Sequence, residues 1–208
     1  VLVLGVLAAV TLAGCAVAAP TVQAPPLPDA GAGEVVPPDS PNAGAGAGTV
    51  ATDYPTCDAV YAAMGAEASD LVLAPDADNG EVDGSAGREL SCTWVTPQAI
   101  EGSLDLQNYG GFSVGVHRDP TYVESDYDAL GWTIDDPRLD ADDAWALTAG
   151  GQYDPGAVVD IGSVQVVRDG TVVTLSAAGG MLNDVPQLAD LTQSWALGAG
   201  LRILDLTR

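Results

Sequence analysis

Val164-Gln165-Val166-Val167-Arg168-Asp169-Gly170-Thr171-Val172-Val173-Thr174-Leu175-Ser176-Ala177 reads as two β-strands joined by a two-residue turn. Asp-Gly suits a type I′ turn, whose two central residues both need positive φ. That turn sets the register: Val166 opposes Val173 and Val164 opposes Leu175, which puts four apolar side chains on one face. An antiparallel hairpin with one buried face needs a sheet to extend it and helices to cover it.

Working outward, the downstream segment predicts a helix with Asn183 or Asp184 near its cap and Pro186 in its first turn. Leu188, Leu191 and Trp195 share its buried face until Gly198 and Gly200 weaken it. Upstream, Ala144–Thr148 is a strand carrying Trp145, and residues 135–143 form an acidic loop. Asp119-Pro120 offers a helix N-cap followed by proline, and Val123, Tyr127 and Leu130 give that helix an apolar face that Gly131 ends. Ser103–Gln107 and Phe112–His117 alternate as strands around a turn at Asn108-Tyr109-Gly110-Gly111. Cys57 opens a helix that reaches Met64 and stops at Gly65, while Leu90, Cys92 and Trp94 share the inward face of a strand. Helix, strands, helix, strands, helix is the order of an α+β domain, an antiparallel sheet packed against helices, over residues 51–208.

The chain begins differently. Val1 to Leu12 is almost wholly apolar but falls short of the ~20 residues that span a bilayer. It has the size of a signal-peptide apolar region, and small residues follow. Leu12-Ala13-Gly14-Cys15 resembles the bacterial lipobox, in which the cysteine is lipidated and the preceding segment removed. The resemblance implies residues 1–14 as signal peptide, a fatty-acyl anchor on Cys15 and a place on the outer face of the cell membrane. The competing reading is a buried core strand that ends in Gly-Cys. No Lys or Arg precedes Arg88, so the basic region of a signal peptide is missing and a start upstream of Val1 is expected. Residues 15–50 are dominated by Ala, Gly and Pro, with too little large apolar surface to offset ordering entropy. They read as a disordered tether, whose ~35 residues reach roughly 30 Å as a flexible coil.

The charge is extreme, 29 acids against 6 bases for a formal net of −23, and every base is Arg. Such a balance excludes nucleic acid and an anionic membrane surface as partners of the domain. The membrane is then a partner only through the lipid on Cys15. Asp, Ala, Gly, Val and Pro in quantity with no Lys point to a GC-rich actinobacterial source.

Three cysteines are present. With Cys15 assigned to the lipobox, Cys57 and Cys92 remain, and in an extracytoplasmic compartment two cysteines most simply form a disulfide. It would pin the Cys57 helix across the sheet beside Trp94 and stabilise the fold by roughly 3–4 kcal/mol in the chain-entropy model. A single His makes a poor zinc set with two Cys, and no Cys-x-x-Cys spacing exists.

Gly111-Phe112-Ser113-Val114-Gly115 matches the G-x-S-x-G of a hydrolase nucleophile elbow. That elbow turns sharply from strand into helix, whereas Phe112, Val114 and Val116 continue a strand. His117 would lie about 13 Å from Ser113 along it. Asp76-Ala77-Asp78-Asn79-Gly80 imitates a calcium loop, but its Gly comes one position early and no Glu closes it. Asp135, Asp136, Asp140, Asp142 and Asp143 could gather round a cation or simply be solvated. Trp94, Trp132, Trp145 and Trp195 could line an apolar pocket or fill core, and core is the expectation. No catalytic residue, metal or cofactor is expected.

Taken together, the tetrapeptide Leu12–Cys15, the low-complexity tether, Cys57 opening a helix and the Cys92-Thr93-Trp94 strand resemble the actinobacterial lipoproteins that carry domain of unknown function 3558. The resemblance implies an envelope-anchored α+β domain and carries over no catalytic residue. The expectation is a lipid-anchored, non-enzymatic domain that binds an envelope partner or small ligand. A carrier of lipid or small apolar molecules is the alternative, and a serine hydrolase the weakest reading.

Overall fold

The computed structural model describes residues 54–84, 87–101, 108–149, 151–162, 164–179 and 185–208. Leu12–Cys15, the tether, Ser103–Gln107 and the pair Asn183-Asp184 lie outside the described residues. Those that are described belong to a unit running from Gly48 to Arg208.

They form an α+β domain, with seven strands in one antiparallel sheet and five α-helices. The strands are β1 (Val72–Leu73), β2 (Gly80–Gly84), β3 (Gly87–Val95), β4 (Gly110–Arg118), β5 (Trp145–Thr148), β6 (Val164–Arg168) and β7 (Thr171–Gly179). Their order is β1-β3-β4-β7-β6-β5, and β2 also pairs with β3. The hairpin of β6 and β7 has the expected register, Val166 opposite Val173 and Val164 opposite Leu175. Asp169 and Gly170 hold φ of 51° and 71°, the two positive values that its turn demands.

Helix α1 (Cys57–Met64) starts at Thr56, whose hydroxyl accepts from the Ala59 amide, and ends at Gly65 with φ 92°. The Cys57–Cys92 disulfide bridges Cα atoms 5.6 Å apart and ties α1 to β3. Tyr61 of α1 stacks on Trp94 two residues along the same strand face. Helix α5 (Gln193–Asp205) lies across β6 and β7 beside α1. Its Trp195 indole donates to the Met64 carbonyl and its Arg202 guanidinium to the Ala63 and Met64 carbonyls, so α5 supplies partners for the C-terminal end of α1. The core lies between these helices and one face of the sheet, centred on Trp94, Phe112, Leu175, Leu197 and Ile203.

Four expectations need correction. Gly110 and Gly111 are not a turn: they open β4, pairing with Gly179 and Ala178 of β7. Both edges of β4 are taken, by β3 and β7, while the hairpin partner expected for it, Ser103–Gln107, lies outside the described residues.

Asp119 does not cap a helix. Its amide donates to the Gly170 carbonyl and its carboxylate accepts from Thr121, forming a turn docked on the hairpin tip. Helix α3 (Glu124–Asp128) follows, and Val123 and Leu130 stand 47% and 59% exposed. Tyr127 alone of that stripe packs inward, onto Tyr122 and Trp145.

The acidic stretch 135–143 contains a helix, α4 (Pro137–Ala141), capped by Asp136 with Pro at its first position. The final helix also starts later than expected. Val159 donates to the Leu191 carbonyl and Val158 bridges Thr192, so a long-range pairing interrupts the chain after a 3-10 turn at Pro186–Leu188. Thr192 then caps α5, which continues through Gly198 and Gly200. Helix α2 (Pro97–Ile100) is a single turn after β3.

Candidate functional site

Strand periodicity gives the sheet two unlike faces. Towards the helices point Leu90, Cys92, Trp94, Phe112, Val114, Val116, Val173 and Leu175, all buried. Among the alternate residues, those at the middle of the three central strands are small: Ser91 and Thr93 on β3, Ser113 and Gly115 on β4, Thr174 and Ser176 on β7, with Glu89, His117 and Val172 in the adjoining row. All six are only partly buried. The register lines them up in two rows, Thr93–Ser113–Ser176 and Ser91–Gly115–Thr174. The Thr93 and Ser113 hydroxyls lie 3.1 Å apart and hydrogen-bond.

Gly115 stands in the middle of this face. A Cβ there would meet nothing nearer than 4.0 Å, the Leu90 carbonyl oxygen and Thr174 Cβ. The pairing runs through it without a bulge, and it is not among the residues with positive φ. Strand geometry and internal packing would therefore both accept a side chain at 115.

One side of the face is bordered by aromatic rings. Trp145 projects outward from β5, opposite Val167, and Tyr122 stacks on it with ring centroids 5.8 Å apart. Tyr127 lies 4.8 Å from Tyr122 and 5.7 Å from Trp145, and Trp132 adjoins Tyr127 at 6.5 Å. The Tyr122 hydroxyl donates to Gln165 Oε1, and Gln165 is the cross-strand partner of Thr174. Burial, reinforced by Tyr127, pushes the Tyr122 phenol above its ordinary range, so it stays a neutral donor. The four tryptophans thus do not line one pocket: Trp94 is core, Trp195 meets Phe112 edge-to-face at 5.2 Å, and the other two join the tyrosines.

The acidic segment builds a cavity of about 230 Å³ lined by Glu124, Asp135, Asp136, Asp140 and Trp145, among others. Asp136 is committed to structure. Its carboxylate accepts from the Arg138 amide at 3.0 Å and from the Arg138 Nε and Nη2 at 2.8 Å, while Nη1 of Arg138 reaches the Ser194 carbonyl on α5. The Arg138 guanidinium thereby holds the Asp136 carboxyl below the usual carboxylate range. A folded-state pKa below the unfolded one favours folding above the unfolded value, and the contribution is lost as pH falls through the folded one. Asp136→Asn should therefore flatten the loss of stability below about pH 4. A series of melting temperatures from neutral to acid pH checks this, and an acid limb unchanged by the substitution would refute it.

The other sequence-derived sites fall as follows. Cys57 and Cys92 are disulfide-bonded. Ser113 and His117 both lie within β4, which continues to Arg118, so Gly111–Gly115 forms no strand-to-helix elbow. In the calcium-like stretch, Asn79 accepts from the Thr93 amide and donates to the Ala74 carbonyl, bracing the approach to β2. Among the described residues no three His, Cys, Asp or Glu side chains gather as a metal site, and no helix is long and apolar enough to cross a membrane. A second cavity, of about 290 Å³, lies by Ala74, Val95, Ile100 and Tyr109. The two volumes lie at or below the lower end of the roughly 300–1,000 Å³ of pockets that enclose small ligands.

Sequence reading missed the polar face. Its signal, a small residue at every second position of 91–93, 113–115 and 174–176, was visible. That these three segments are neighbours was not. No family model, curated protein or solved structure matches the chain.

Proposed function

We propose that the protein is a lipoprotein of the cell envelope, anchored by a lipid on Cys15, whose non-enzymatic domain binds its ligand or partner through the polar face of β3, β4 and β7. The place rests on Leu12-Ala13-Gly14-Cys15 and on the Cys57–Cys92 disulfide, a bond that persists in oxidising compartments. The binding role rests on one observation. The two long helices cover the opposite face of the sheet, while the central strands present six small, partly exposed residues around Gly115. The non-enzymatic reading is supported by the Ser113 hydroxyl, which is bonded to Thr93 within a regular strand.

Membrane fractionation of cells expressing the full chain tests the anchor. Wild-type protein should sediment with membranes and enter a detergent phase, and Cys15→Ser should release it. Sedimentation of Cys15→Ser with the membranes would contradict the anchor.

A further inference from the structure

We infer that the corner formed by α3, α4 and β5, beside the polar face, docks a basic segment of a partner protein, with an arginine seated against Trp145. Both helices pack on β5, and the chain between them closes the outer edge of that strand. There Ile134 donates to the Ala146 carbonyl and Thr148 to that of Trp132, so the corner is a fixed surface and not an open sheet edge. The cavity of about 230 Å³ opens into it. Of its lining, Ile134 and Leu139 are buried, while Glu124, Asp135 and Asp140 are exposed, so apolar groups form the base and carboxylates the rim. The aromatic wall continues outward from Trp145. Tyr122 and Tyr127 flank it and Trp132 adjoins Tyr127, four half-buried rings with Val123 and Leu130 exposed at the two ends of α3. Uncovered apolar surface grouped in this way marks an interaction site.

Charge and size select the occupant. Residues 119–145 hold nine of the chain's 29 acids and one base, Arg138. That base is committed to Asp136 and to Ser194 of α5, and Asp128 accepts from the Thr133 hydroxyl. Glu124, Asp135 and Asp140, by contrast, have no partner among the described residues. Carboxylates around an aromatic surface complement a cation and repel an anion. Among the described residues they do not gather in threes as a metal site, so the cation they suit is an extended organic group. The cavity is smaller than those that enclose a free ligand, which favours the end of one side chain presented by a larger molecule. Arginine meets both halves of the site, because its planar guanidinium stacks on an aromatic face and forks onto carboxylates. Aromatic rings and arginine are also the residues that most often anchor protein interfaces.

Fluorescence anisotropy tests the docking, with the full chain held in detergent at physiological ionic strength. The probe is a labelled peptide, Gly-Ser-Arg-Leu-Arg-Ser-Gly, beside its lysine and citrulline counterparts. The arginine peptide should bind, the lysine peptide several-fold more weakly, and the uncharged citrulline peptide not at all. Trp145→Leu and Asp140→Asn should each weaken the arginine peptide roughly fivefold. Asp140 is exposed on α4, so Asp140→Asn carries the test where Trp145→Leu does not fold. Asp83→Asn removes the same charge from an exposed position on β2, at the opposite side of the sheet, and should leave binding unchanged. No binding, equal affinity for the lysine peptide, binding indifferent to Trp145→Leu and Asp140→Asn, or an equal loss in Asp83→Asn each overturns the inference. Displacement by free arginine at the concentration of the peptide also overturns it, since the site would then serve a small ligand. Neither Gly115 nor Cys15 belongs to this corner, so its failure leaves the polar face and the anchor standing.

Discussion

Gly200→Leu is expected to cost the domain about 3 kcal/mol or more, at the upper end of what core overpacking produces. Gly200 is buried in α5, and even a Cβ there would lie 2.5 Å from Val166 Cγ2, 3.1 Å from Val166 Cβ and 3.2 Å from Leu175 Cδ1. Val166 and Leu175 are fixed by the β6–β7 hairpin, so neither can withdraw without disturbing the ladder. Removing a helical glycine recovers about 1 kcal/mol of propensity, too little to offset the clash. Gly198 is the control. A Cβ there meets the Nη1 atoms of Arg202 and Arg138 at 3.4 and 3.5 Å, ordinary contact distances, so Gly198→Ala should be neutral or stabilising by up to about 1 kcal/mol. In denaturant melts Gly200→Leu should fall well below wild type while Gly198→Ala stays at or above it. Equal stability for Gly200→Leu would mean that α5 does not sit on the hairpin as described.

The second large effect belongs to the disulfide. Cys57→Ala with Cys92→Ala releases a loop with a sequence separation of 35, and the chain-entropy model assigns such a crosslink about 4 kcal/mol. Marginally stable domains hold about 5–15 kcal/mol in all, so the double variant should lose a large share of its cooperative stability. The loss should be felt first where α1 meets the sheet, at Tyr61 stacked on Trp94. Reduction of the wild-type protein should reproduce the shift in denaturation midpoint. A midpoint unmoved by both treatments would show that α1 is held without the bond.

These two positions also mark where sequence reading succeeds and where it stops. The disulfide was legible because its partners announced themselves locally, Cys57 at a helix start and Cys92 in an alternation with Leu90 and Trp94. The hairpin was legible because Asp169-Gly170 sets register over two residues. Gly200 was read only as weakening its helix, because a glycine that lets a helix approach a sheet looks the same in sequence as one that loosens it. The late start of α5 escaped for a related reason: Leu191 and Thr192 are drawn off by Val158 and Val159, more than thirty residues away. The candidate site shares that limit. Alternating small polar residues can be counted in each strand, but the two rows exist only because β4 inserts between β3 and β7. Gly115 acquires meaning only when its neighbours are known.

The central claim is that this domain is displayed from a lipid on Cys15, and the mature N-terminus tests it most directly. Mass spectrometry of the N-terminal peptide, from protein extracted out of membranes, should show a chain that begins at Cys15 with diacylglyceryl and acyl groups added. A mature chain that begins elsewhere, or an unmodified Cys15, would contradict the account.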